Sequence, residues 1–243
     1  APDPSEMTGI QSMGMLCGIF LALFLMIYGA QIFNKVKKEK SNRVMEILAT
    51  CVTGRVMMFG KIISVGLLGL TQLLIWGGMI AAILFGVFFI LNQSIPLEYL
   101  YDTRIFLGLM WTILFFLGGY IFYGSIYAAC GAMSDKDNEN QVYMTVITFL
   151  LLGSFYLGEY AVTNSENPFV IFCSFFPFTS PTIAAVNAVA SSVPVWQSII
   201  SLIVLYIFAG ISVSLSGKIY TSSLLLRGKS FTPKDILLFL KTK

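Results

Sequence analysis

The chain contains no histidine and little charge: 11% of its 243 residues are Asp, Glu, Lys or Arg, against about 25% in soluble globular domains. Without imidazole there is no His-based catalytic triad, no imidazole metal ligand and no general base of the commonest kind. The four cysteines, Cys17, Cys51, Cys130 and Cys173, lie far apart with no CxxC spacing. That excludes a cysteine metal cluster and a thioredoxin-like motif, and leaves small, soft core residues. No GxxxxGK[ST] run is present; Gly54–Lys61 copies only its outline, because Ile62 stands where a magnesium-binding hydroxyl belongs. The acidic turn Ser134–Gln141 lacks the glycine and final glutamate of an EF-hand and reads as a solvated turn. No catalytic residue, metal site or bound cofactor is expected in this chain.

What is present is apolar: 57% of residues are hydrophobic. A helical crossing of a bilayer takes about 20 apolar residues, and five stretches are long enough, at about 9–33, 56–91, 104–133, 142–160 and 195–217. The expected fold is therefore all-α and polytopic. Basic residues set its orientation. The 34–61 segment carries seven, the 133–141 turn has Lys136, and the tail from Lys218 has six, leaving Arg104 as the one basic residue on the other side. These three segments are expected in the cytoplasm, with the N-terminus outside. The basic residues flank spans instead of forming a free basic surface, so nucleic acid is not an expected partner.

Between the fourth and fifth stretches, 167–194 is apolar but interrupted by Pro168, Pro177, Pro181 and Pro194. Pro177 and Pro181 each remove a backbone donor and disfavour helix before them. Two half-helices are predicted, each too short to cross, forming a re-entrant hairpin in the outer leaflet. Such backbone persists only when buried against protein or lining a cavity.

The 34–55 connection carries a second pattern. As a helix from about Ser41, it places Val44, Ile47, Leu48 and Cys51 on one face, with Asn42, Arg43, Glu46 and Thr50 mostly opposite. Periodicity alone is compatible with an interfacial linker held by headgroups or with a docking helix for a soluble partner. Within the spans, Gln72, Tyr123 and Tyr127 are candidates to line a pathway, as is Glu159 at the outer edge of the fourth. Hydrogen bonding between helices accounts equally for Gln72, packing for Tyr123 and Tyr127, and simple hydration for Glu159.

The run Glu39–Gln72, EKSNRVMEILATCVTGRVMMFGKIISVGLLGLTQ, closely resembles permeases of type 2 ABC exporters. It is most similar to the sodium-efflux and drug or peptide export group typified by NatB. That group's E-K-x-N-R-x-M-E-I-L is represented by Glu39, Lys40, Asn42, Arg43, Met45, Glu46, Ile47 and Leu48; its G-K by Gly60 and Lys61; its G-L-T-Q by Gly69, Leu70, Thr71 and Gln72. Phe175–Pro181 resembles the family's re-entrant segment, and Lys218–Ile236 its cytoplasmic tail.

The resemblance implies a cytoplasmic coupling helix that seats on a separate ATPase, with Glu39, Asn42, Arg43, Met45, Glu46 and Leu48 as docking residues. ATP and Mg would be bound by that ATPase, present in two copies, and the permease would pair with a second copy or a homologous permease in a bacterial cell membrane. The family has six spans, with a large extracellular region often following the first, so that span and region are expected upstream of residue 1. The implied function is ATP-driven export. A secondary carrier would instead show intramembrane charge and inverted repeats, and a non-transporting scaffold or receptor would use the amphipathic loop for recruitment alone. Sodium, peptide, drug and lipid all stay open as cargo.

Overall fold

The computed structural model describes residues 4–41, 52–90, 103–134, 137–189 and 193–225. They form seven helices: α1 (Pro4–Ser41), α2 (Gly54–Ile90), α3 (Thr103–Met133), α4 (Asp137–Thr163), α5 (Pro168–Phe175), α6 (Ser180–Val189) and α7 (Val195–Leu225). Five contain stretches long and apolar enough to cross a membrane: Gly14–Lys40, Val56–Val87, Met110–Met133, Gln141–Thr163 and Val195–Ser223. The protein is an all-α polytopic membrane protein.

Helices run further than the hydropathy edges suggest. α1 passes Phe33 and continues to Ser41, so Glu39 sits on the membrane helix itself and not at the start of a separate coupling helix. Nothing between Phe33 and Ser41 breaks a helix, and Lys38 and Lys40 in the last turn suit its negative end. α7 likewise passes Gly217 to Leu225. α4 begins at Asp137.

α3 is the hub, packing most extensively on α7 and α1 and then on α6. Its Phe115, Phe122, Tyr123 and Tyr127 are buried together with Leu21, Leu25, Ile32 and Phe33 of α1. Glycine allows the closest approach: a Cβ on Gly131 of α3 would lie 2.7 Å from the carbonyl oxygen of Phe33. α2 is different. Met58, Ile62 and Val65 in its first turns are buried, whereas most of the remainder, from Leu74 to Ile90, is exposed.

α5 and α6 are bent by 117°. At 1.5 Å per residue they rise about 12 and 15 Å, too little for either to cross alone. Pro168 occupies the start of α5, where it needs no amide hydrogen, and the Asn167 side chain accepts from the Phe169 N–H at 3.0 Å. Pro177 lies in the intervening turn and Pro181 in the first turn of α6. The turn's backbone groups find partners: Ser180 N–H donates to Phe176 O at 2.8 Å, Thr179 Oγ1 to Cys173 O at 2.5 Å, and Tyr123 Oη to Phe178 O. Ser154 of α4 bonds the Thr182 hydroxyl and donates to Thr179 O at 3.2 Å. Nearly all of α6 is buried, which satisfies the condition for irregular backbone in apolar surroundings.

Candidate functional site

The ends of α1 and α2 that flank the 42–51 segment are joined by charge. Lys61 forms an ion pair with Glu39, and its Nζ also donates to Tyr220 Oη at 2.8 Å while standing 4.4 Å from the centre of that ring. A lysine so placed is held by a carboxylate, a hydroxyl and an aromatic face at once. One residue further along α1, Lys40 Nζ donates to Ala132 O at 2.8 Å, covering a carbonyl in the last turn of α3. Tyr120 Oη donates to Ile62 O at 2.8 Å, tying α3 to α2 one residue after Lys61. Gly54 lets α2 start against α7, where a Cβ would meet Gly217 O at 2.8 Å.

The four helices α1, α2, α3 and α7 thus converge on one junction. Glu39 and Lys61 bring together the two ends of the segment that the sequence marks as a docking helix. Of the named docking residues, Glu39 belongs to this cluster; Asn42, Arg43, Met45, Glu46 and Leu48 lie outside the described residues. In the sequence Lys61 stands out as a membrane-flanking basic residue and as part of a G-K pair but not as an ion-pair partner, and Tyr220 lies in the tail run without a mark of its own. Their partnership spans 159 positions, and no local pattern encodes it.

The pathway candidates are dispersed. Tyr123 and Tyr127 are buried in the α1–α3 core, Tyr127 filling the space left by Gly29. Gln72 is exposed on α2 and accepts from Tyr28 Oη at 2.8 Å, and Glu159 is exposed on α4. The structure does not bring these four together.

A further polar group gathers around the bent pair. Among the described residues, nine of the thirteen buried polar ones belong to it or to facing positions on α4 and α7. Gln197, Ser198 and Ser201 of α7 share a face, since positions i, i+1 and i+4 fall on one side of a helix. That face meets Ser174 of α5 and Asn187 of α6. The sequence reading passed over these residues, although a polar face within an apolar span is itself a signal. Among the described residues, no group of His, Cys, Asp or Glu is placed to hold a metal.

Five apolar crossings, a buried bent pair and a charged junction at the helix ends define a polytopic helical permease-like membrane protein. The profile of the "ABC-2 family transporter protein" group matches residues 2–218, and the chain belongs to that family. Its membrane proteins generally work with an ATPase subunit. "Uncharacterized protein YhaP" of Bacillus subtilis is 26% identical over 244 residues, covering 93% of this chain and 56% of that protein. "Uncharacterized protein MJ1024" of Methanocaldococcus jannaschii is 25% identical over 208 residues, covering 85% and 48%. The chain spans about half the length of the curated relatives it matches. No solved structure matches it.

Proposed function

We propose that this chain is the membrane-spanning permease part of an ATP-driven exporter, with a separate ATPase seated on the 42–51 segment. The observation that carries the reading is the Glu39–Lys61–Tyr220 junction. It fastens both ends of that segment to α1, α2 and α7, so a push on the segment is delivered to three helices at once. The motif run from Glu39 to Gln72 favours the NatB-like export group. ATP and Mg belong to the ATPase, whose two copies require two docking segments and hence a second permease copy or a homologous permease. The basic ends of the helices face the cytoplasm in this reading, and the membrane is the cell membrane.

Arg43 and Glu46 are the test. Each can form charge-assisted hydrogen bonds with a partner, and losing one such contact of about 1.4 kcal/mol lowers binding about tenfold. With the co-purifying ATPase reconstituted in liposomes, Arg43→Ala and Glu46→Ala are expected to weaken its association and its permease-stimulated turnover by about that factor. The helical content and thermal midpoint of the permease should stay unchanged. Full stimulation in both variants would overturn the docking model.

A further inference from the structure

Where α7 passes the bent pair, a narrow recess is lined by Ser174, Asn187, Gln197, Ser198 and Ser201 with Ala184 and Val193. Among the described residues, no charged side chain lines it. Gln197 is 5% exposed, and its Nε2 is buried without a hydrogen-bond acceptor. The free space is too narrow for a water molecule as it stands, so while the seam is closed that donor stays unhydrated. In apolar surroundings an unpaired amide is a standing cost.

The remaining hydrogen-bonding capacity is specific. Ser174 Oγ donates to Val170 O at 2.9 Å, and Ser201 Oγ donates to Ser174 O. Both hydroxyl protons are committed, and both oxygens keep lone pairs that can accept. The recess therefore offers an uncommitted N–H donor beside hydroxyl acceptors, with no net charge. A secondary amide presents the matching pair, a carbonyl that accepts and an N–H that donates. The seam can also part: α7 packs chiefly on α3 and only lightly on α5 and α6, and besides the Ser201–Ser174 hydrogen bond the serine and alanine side chains leave little to disengage.

We propose that the recess between α5, α6 and α7 is a binding site for an uncharged secondary amide, the repeating unit of a peptide main chain, with Gln197 donating to its carbonyl. The site is a property of this chain and stands without the ATPase; only its bearing on exported cargo rests on the exporter reading.

The test uses the full chain in liposomes with Cys17, Cys51, Cys130 and Cys173 replaced by alanine. Ser198→Cys places a thiol in the recess, and Ile203→Cys places one on the exposed apolar face of α7. Maleimide alkylation needs a thiolate and hence water. N-ethylmaleimide should label Ser198→Cys about tenfold faster than Ile203→Cys, because the seam opens to water and the lipid face does not. N-methylacetamide should slow labelling of Ser198→Cys about threefold at saturation, an effect that tetramethylammonium should not reproduce. Gln197→Met should abolish the protection while labelling persists, and should raise the thermal midpoint by removing an unpaired donor. Gln197→Asn, which keeps the amide, should retain protection. Labelling no faster than at Ile203→Cys, protection that survives Gln197→Met, or a lower midpoint in Gln197→Met would each overturn the proposal.

Discussion

Gly131 shows how one missing side chain sets a helix crossing. A methyl group there would press on the backbone oxygen of Phe33, and backbone cannot rotate aside as a side chain does. Gly131→Ala is expected to cost about 1–3 kcal/mol, the range for overpacking a tight contact. Gly77, with nothing within 4 Å of its would-be Cβ, is the control, and Gly77→Ala should stay within about 0.5 kcal/mol. Thermal unfolding of the two purified variants checks the contrast. Sequence separates these glycines poorly, since both lie in long apolar helices and differ only in what faces them. The same holds for Lys61: its charge is plain in the sequence, but the carboxylate and phenol that hold it come from helices distant along the chain. Arg43 and Glu46, by contrast, are proposed on the motif alone, since both lie outside the described residues.

Helices and their breaks were readable where a residue type dictates the backbone. Pro177 and Pro181 announce an interruption, and the chain bends there by 117°. The ends of α1 and α7 were harder, because hydropathy stops at Phe33 and Gly217 while the helices continue, α1 through lysines and a glutamate that are good helix formers and α7 to Leu225. This overrun is what brings Glu39 to Lys61. A double-mutant cycle on the pair measures how firmly α1 is tied to α2. Lys61→Met or Glu39→Gln alone leaves a poorly hydrated polar partner and should cost about 1–3 kcal/mol, below the 3–5 kcal/mol of fully buried pairs because the Glu39 side chain is 32% exposed. The double variant should be more stable than the sum of the single losses indicates. Strict additivity in thermal midpoints would show that the pair does not couple the helices.

For the molecule as a whole, composition suffices for the membrane and the all-α class, while which face meets lipid is set by packing that no single helix encodes. α2 gives the clearest case: Trp76 is 61% exposed, whereas Trp111 of α3 packs against the core. In vesicles of brominated-chain lipids, a variant retaining Trp76 alone should be quenched about twofold or more beyond one retaining Trp111 alone, because quenching requires chain contact. Equal, weak quenching would mean that another protein chain covers the outer face of α2.

The uneven anchoring of α2 has a further consequence. Its apolar stretch of 32 residues rises about 48 Å, well beyond a hydrocarbon layer of about 30 Å. Lys61, Ile62 and Gln72 fasten the first half to its neighbours, and past Leu73 nearly all its described side chains are exposed. A rod held at one end and too long for its surroundings relieves the mismatch by leaning. Lipid acyl-chain length therefore sets the tilt of α2, with longer chains standing it upright, and the strain of that adjustment falls on the end where Glu39, Lys61 and Tyr220 meet.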